Sequence, residues 1–284
     1  MRLPWANSTH ISKKRYLCKM MTYFVSDQHF GSPTREASAQ REVLFVKWLE
    51  QVRGDAEAIY LLGDLFDFWF EYKTVVQKGY VRLLGKLAEI VDSGVPVYYF
   101  CGNHDIWAFD YLETEIGVKL CRKPVIELIK GKRFYLAHGD GLGKGDNGHK
   151  FMKKIFEFRF NQWWFRWIHP DIGNRFAWFW SRRNRSSNCK KNKKYVEKQG
   201  ITLNEANVQN RLATYCKEIL KTEKIDYFVF GHYHQPIEYD LTSEVKLFTV
   251  GDWMRHFSYG VFDGEKFELK RMTPIFNSIT SIIK

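Results

Sequence analysis

Polar residues gathered at the ends of apolar runs constrain this chain more than any other feature. Five short motifs carry them: Asp27-Gln28-His29, Gly63-Asp64-Leu65-Phe66-Asp67, Gly102-Asn103-His104-Asp105, His138-Gly139-Asp140 and Gly231-His232-Tyr233-His234. Each follows a run that reads as a buried strand: Tyr23–Val25, Ile59–Leu62, Val97–Cys101, Phe134–Ala137 and Tyr227–Phe230. At the carboxyl ends of neighbouring strands in an open α/β sheet, side chains converge on one crevice, so ligands far apart in sequence can meet. Five of the nine histidines lie in these motifs, the pattern expected of a dinuclear metal site.

Taken singly, the motifs say little. Asp-x-His is common, Gly-Asp-x-x-Asp can be a turn, and Gly-His-x-His can be two strand histidines on one face. In this order, each at a strand end, they make a coherent ligand set. Carboxylates can bridge two cations; imidazole suits manganese, iron or zinc, and carboxylate or amide oxygen suits harder ions. Two such ions can clamp a phosphoryl group and activate a water. No cysteine sits in the motifs.

The motif order resembles that of the calcineurin-like metallophosphoesterases. Carried over residue by residue, the resemblance implies that Asp27, His29 and His234 hold one divalent cation. Asp64 bridges, and Asn103, His138 and His232 hold the other. His104 matches the family's catalytic histidine, which aids phosphoryl-oxygen stabilisation and can protonate the leaving group. Asp67 and Asp105 are expected to orient the ligands, because such partners fix imidazole tautomer and angle. A closer similarity runs from about Met21 onward. Leu61-Leu62-Gly63-Asp64-Leu65-Phe66-Asp67-Phe68-Trp69 is similar to the second motif of the UDP-2,3-diacylglucosamine hydrolases of lipid A biosynthesis. So are His138-Gly139-Asp140-Gly141-Leu142 followed by Asp146, and Gly251-Asp252-Trp253. The best-known branch of those enzymes has Arg after the Gly-Asn of the third motif. This chain has His104, which keeps the general phosphoesterase pattern and leaves open a sister-branch, lipid-linked pyrophosphatase.

The resemblance implies a mixed α/β body, a four-layer αββα sandwich with an inserted helical cap. Residues 21–146 and 223–284 would form the core, 147–222 the cap, and 1–20 a disordered leader. It implies hydrolysis of UDP-2,3-diacylglucosamine with two divalent cations, manganese foremost, by a cytoplasmic protein peripheral to the inner membrane. Substrate contacts are expected from Asp146, Trp163, Trp164, Trp167, Arg182 and Arg183, with Trp178 at the border of an acyl chamber.

Composition fits a folded body: 284 residues, 45% hydrophobic, long enough for a substantial core. Aromatics reach 17%, and several of the ten Trp cluster between His138 and His232, where the similar enzymes carry their cap. No run reaches the roughly 18 apolar residues of a membrane span. Glu157, Arg159 and Arg166 interrupt the aromatic stretch Phe156–Ile168. The first twenty residues lack the apolar segment of a signal peptide, and Met20 or Met21 is a plausible start. The five cysteines match no zinc spacing and read as free thiols. The net charge of +12 comes largely from Arg182-Arg183-Asn184-Arg185 and Lys190-Lys191-Asn192-Lys193-Lys194. Such runs are usually solvated surface; an anionic membrane, nucleic acid or a polyphosphate would also suit them.

Helices are expected over Ser38–Arg53, Lys78–Ser93, within Asn147–Trp180 and over Leu203–Thr222, and later strands near Lys246–Val250, Tyr259–Phe262 and Lys266–Arg271. Phe151, Phe156, Phe160, Trp163, Trp164 and Trp167 form a stripe too wide for one packing face, so some of it should meet a partner. Two other functions share features of the sequence. A metallophosphodiesterase for nucleotides or nucleic acid would use the same core, and the Trp-rich insertion disfavours it. A non-enzymatic metal-site scaffold would not need His104.

Overall fold

The computed structural model describes residues 19–143, 147–199 and 202–272. Asp146 and most of the expected leader lie outside them, as does the side chain of Arg182. Eleven strands form two sheets. The first holds β1 (Met21–Val25), β2 (Ala56–Leu61), β3 (Val97–Phe100), β4 (Lys119–Cys121), β10 (Ser258–Phe262) and β11 (Phe267–Arg271), in the order β11-β10-β1-β2-β3-β4. The second holds β5 (Val125–Ile129), β6 (Lys132–Ala137), β7 (Tyr227–Phe230), β8 (Pro236–Asp240) and β9 (Lys246–Val250), in the order β5-β6-β7-β9-β8. Each sheet has a run of parallel strands: β1-β2-β3 with β4 at the edge, and β6-β7-β9. Antiparallel partners adjoin them: β10 and β11 on one side of the first run, β5 and β8 on the two sides of the second. Central parallel strands are covered on both faces, which is why their carboxyl-terminal halves are buried and largely apolar.

Four layers follow from what each face buries. Between the sheets lie Phe24, Tyr60, Phe134, Leu136, Val229, Phe248 and Phe262. The outer face of the first sheet is covered by α1 (Arg35–Val52) and α2 (Val81–Asp92), through Phe45, Trp48, Leu49, Leu83 and Leu87. Thr34 caps α1 by accepting a hydrogen bond from Ala37 N at 3.2 Å, satisfying an otherwise unpaired first-turn amide. A one-turn helix, α3 (Tyr111–Thr114), precedes β4.

The helical stretch after β6 divides by what it touches. Helices α7 (Leu203–Asn207) and α8 (Ala213–Ile219), joined by a π-helical turn at Val208–Leu212, lie on the outer face of the second sheet. Val208, Leu212, Ala213 and Cys216 pack there against Tyr135, Phe228 and Phe230 and supply the fourth layer. Helices α4 (Asn147–Glu157), α5 (Arg159–Phe165) and α6 (Pro170–Gln199) instead stand on a small aromatic footing of Phe165 with Phe70 and Trp107. Trp107 Nε1 donates to the Phe156 carbonyl at 2.8 Å and pins α4 to the loop after β3. The two central sets of parallel strands end on the same side as this footing. The five motifs therefore come together beneath the inserted helices.

Candidate dinuclear metal centre

The loops that leave β1, β2, β3, β6 and β7 are tied to one another before any ligand is considered. Asp27 N donates to Gly63 O at 3.1 Å, His29 N to Asp64 O at 3.0 Å and Gly231 N to His138 O at 2.9 Å. The Asp27 carboxylate accepts through Oδ2 from Ser26 Oγ at 2.6 Å and from His232 N at 2.8 Å, so the first and last motifs are joined through one oxygen. Asp105 accepts from Leu65 N at 2.9 Å, Gly102 N at 2.6 Å and Tyr99 Oη at 2.5 Å, locking the second motif to the third. A Cβ at Gly102 would overlap Asp64 Oδ1, and one at Gly231 would overlap Ser26 Oγ, so both turns need glycine for close approach. The backbone at Asp27, His29, Asp64, His232 and His234 is left-handed, with φ from 46° at His29 to 67° at His232.

This scaffold aims two sets of atoms at two points. Asp27 Oδ1 lies 3.6 Å from His29 Nε2 and 3.6 Å from His234 Nε2. Asp64 Oδ2 lies 3.4 Å from His138 Nε2, which is 3.4 Å from Asn103 Oδ1. Asp64, His138 and His232 offer ligand atoms all within 4.8 Å of one another, as do Asp27, His29 and His234. Two ligands each about 2.1 Å from one ion at a tetrahedral angle stand about 3.4 Å apart, close to these separations. The same Asp64 Oδ2 is also 3.6 Å from His29 Nε2, so one carboxylate faces both sets.

Second contacts set the imidazoles. His138 Nδ1 meets the Leu62 carbonyl at 2.7 Å; since a carbonyl only accepts, Nδ1 carries the proton and Nε2 presents its lone pair. His234 Nδ1 faces Asp252 Oδ2 at 3.4 Å, and His29 Nδ1 faces Asp67 Oδ1 at 3.4 Å. His104 stands edge-on to the His29 ring at 4.7 Å, its Nδ1 bonded to the Asp67 carbonyl at 2.8 Å and its amide to Asp64 Oδ1 at 2.9 Å. Its Nε2 is then the nitrogen left for chemistry.

The charges contend strongly. Burial disfavours charge on His29, but the carboxylates of Asp27, Asp67 and Asp64 outweigh it and raise the imidazole to about 9. Burial is likewise overcome at His138, raised to about 10 by Asp64, Asp27 and Asp140. His232 falls to about 4, because burial is reinforced by neighbouring His138. Burial opposes ionisation of Asp64, yet His138, His104 and His29 hold it well below the ordinary range. The field demands positive charge among these groups, and a proton or a divalent cation can supply it. Asp27 Oδ1 and His29 Nε2 are buried and lack a hydrogen-bond partner, an arrangement that costs roughly 1–3 kcal/mol per group unless something else binds them. A nitrogen- and oxygen-liganded divalent cation fits these residues.

Asp27, His29, Asp64, Asn103, His104, His138, His232 and His234 thus meet in one place, with Asp67 and Asp105 bracing them. Trp163, Trp164 and Trp167 stand exposed on α5 and just beyond it, and Arg183 is exposed on α6. Three braces escaped the reading of residue types. Asp252 follows β9 and was visible only as part of Gly251-Asp252-Trp253. Ser26 and Ser181 carry no spacing signal.

The model of the calcineurin-like phosphoesterase family matches residues 20–236. A Porphyromonas gingivalis protein named UDP-2,3-diacylglucosamine hydrolase is 34% identical over 253 residues, 88% of this chain and 97% of that protein. A Vibrio atlanticus protein of the same name is 26% identical over 263 residues, with the same shares of the two chains. The family match begins just before β1, which leads to Asp27, and ends just past His234. A match over more than half of the chain, spanning every motif of the pocket, makes the chain a member of the calcineurin-like phosphoesterase family, a metal-dependent hydrolase.

Proposed function

We propose that the protein hydrolyses the pyrophosphate of UDP-2,3-diacylglucosamine to 2,3-diacylglucosamine 1-phosphate and UMP, the step named for its relatives in lipid A biosynthesis. One observation carries the lipid substrate. Every exposed Trp and Phe among the described residues lies between Phe151 and Trp180, on the helices beside the metal centre. Hydrolysis of a small soluble phosphodiester gives no reason for such a surface; two acyl chains do, at about 0.8 kcal/mol per buried methylene.

Asp27, His29 and His234 would hold one cation and Asn103, His138 and His232 the other, with Asp64 between them. Two manganese ions suit this mixed imidazole, carboxylate and amide set. When bound, the cations supply Lewis-acid polarisation of the phosphate and a water of lowered pKa. Overall, a water oxygen bonds to one phosphorus, the bridging P–O bond breaks, and the water's protons pass to the products or to solvent. His104, tethered through Nδ1, presents Nε2 to the phosphoryl oxygens, where it stabilises developing charge and can carry a proton to the leaving phosphate. Asp67, Asp105 and Asp252 keep the imidazoles and loops in register.

In this reading α4–α6 form the cap, and α7–α8 belong to the body. Trp163, Trp164 and Trp167 border the acyl chains, with Trp178 nearer the body; Asp146, Arg182 and Arg183 serve the headgroup and phosphates. The same aromatic and basic surface would hold the protein on the cytoplasmic face of an inner membrane as a peripheral protein. No described helix is long and apolar enough to cross a membrane. The test is an assay of the manganese-loaded protein against the UDP-linked diacyl substrate, cyclic nucleotides and single-stranded DNA. UMP release from the lipid is expected. Cleavage of nucleotides or DNA with no lipid turnover would overturn the substrate.

A further inference from the structure

The inserted helices reach into the metal-site bracing at one residue. Ser181, on α6, donates through Oγ to Asp67 Oδ2 at 2.8 Å, and both side chains are buried, 6% and 3% exposed. The other oxygen of that carboxylate faces His29 Nδ1 at 3.4 Å and His104 Nδ1 at 3.9 Å, while the Asp67 carbonyl accepts from His104 Nδ1 at 2.8 Å. One aspartate therefore touches a serine from the insertion, an imidazole assigned to a cation and the imidazole assigned to chemistry. An Asp carboxylate turns easily about its last torsion, and a partner on the second oxygen restrains its plane. Ser181 supplies such a partner from the insertion. The contact is not isolated. Trp178, one turn earlier on α6, lies over the backbone of Gly31, its Nε1 being 3.8 Å from where a Cβ there would stand. Lys153 of α4 pairs with Asp140 at 2.8 Å, two residues beyond His138.

We propose that Ser181 is a positioning residue for the hydrolysis: it holds Asp67 so that Asp67 sets His29 and His104, making the seating of α6 a condition for full turnover. The inference rests on the hydrolase reading of the metal centre and not on the lipid substrate. It gives the insertion a second task beside covering substrate, since whatever lifts α6 also loosens the imidazoles.

The test compares wild type with Ser181→Ala on bis(p-nitrophenyl) phosphate at saturating manganese, with manganese affinity measured separately by calorimetric titration of the metal-free protein. Partners that orient metal ligands typically influence affinity or rate by about 10–100-fold. The expected result is a kcat lower by about tenfold with KM within about twofold, and weaker manganese binding by a similar factor. In an Asp67→Ala background the same serine change should cost almost nothing further, because the two act as a unit. Ser181→Cys, which keeps the shape and weakens the donor, is read the same way should the alanine variant fail to fold. Unchanged kcat and affinity, with or without a lower melting temperature, would reduce Ser181 to a packing residue and overturn the proposal. So would equal losses with and without Asp67. A protein that cleaves the small diester but ignores the UDP-linked lipid would refute the substrate while leaving this test intact.

Discussion

The aromatic residues of the sandwich and those of the inserted helices are the same side chains in opposite circumstances. Between the sheets, Phe24 stacks on Tyr60 at 5.1 Å and on Phe134 at 5.6 Å, and Phe134 meets Phe262 at 4.9 Å, all of them buried. On the insertion, Phe160 touches Trp163 at 5.7 Å and Trp163 touches Trp167 at 6.1 Å, yet Trp163 is 54% exposed and Trp167 77%. Aromatic contacts form in both places; those of the body remove the rings from water, whereas on the insertion Phe165 is buried and Phe160, Trp163 and Trp167 are not. The insertion keeps aromatic surface that its own packing leaves unused.

If the regions divide labour in this way, changes in the body, or at Ser181 where α6 meets it, should affect every substrate, and changes on the exposed aromatic face of the insertion only the lipid. The largest effect is expected at Asp64. Asp64→Ala should abolish turnover of both the UDP-linked lipid and a small phosphodiester and release metal, as read by elemental analysis; two metals and near-normal rate would remove Asp64 from the centre. His104→Asn should keep both metals and lose roughly 10²–10⁴-fold in rate on both substrates. Loss of metal together with rate would make His104 a ligand, and substantial activity in His104→Arg would support kinship with the Arg-bearing branch. Phe134→Ala should destabilise the fold by about 3–5 kcal/mol in denaturant unfolding, against about 0.5 kcal/mol or less for Trp167→Ala. Comparable losses would mean that the exposed ring is structural. The smallest effect is also the most discriminating. Alanine at Trp163, Trp164 and Trp167 together should raise KM for the lipid about tenfold or more and leave the small diester almost unchanged. Equal losses on both substrates would erase the division.

Much of the centre was legible because the body obeys a simple rule. Parallel strands covered on both faces must be apolar, so the first polar residue after each run marks a strand end, and Asp27, Asp64, Asn103, His138 and His232 all fall there or one residue later. The central strands β1, β2, β3, β6, β7 and β9 announce themselves the same way. Short or half-exposed strands did not: β4 spans three residues, and β5 alternates Glu127 with Ile126 and Leu128 in a pattern shared by many loops. The helix after Thr202 was readable from its period, but the sheet face it covers was not, because periodicity names a buried side and not its partner. The bracing roles of Asp252 and Ser181 were hidden for a different reason. A single serine or aspartate far from the motifs gains meaning only when the chain brings it within hydrogen-bond reach of them.

The left-handed backbone at the metal loops has a bearing on engineering. Among the described residues, eight non-glycine positions have positive φ, and five of them are Asp27, His29, Asp64, His232 and His234. Each such conformation costs an L-residue up to about 1–2 kcal/mol, less for aspartate and asparagine, and glycine largely avoids it. A screen for heat resistance that ignored turnover would therefore be drawn to these five sites, collecting Gly where the proposed metal centre uses carboxylate and imidazole. Its winners would be hardier proteins unable to hold their ions. Thermostabilisation of this enzyme should leave the five positions fixed and seek its gains elsewhere, in the helix caps and the exposed face of the sandwich.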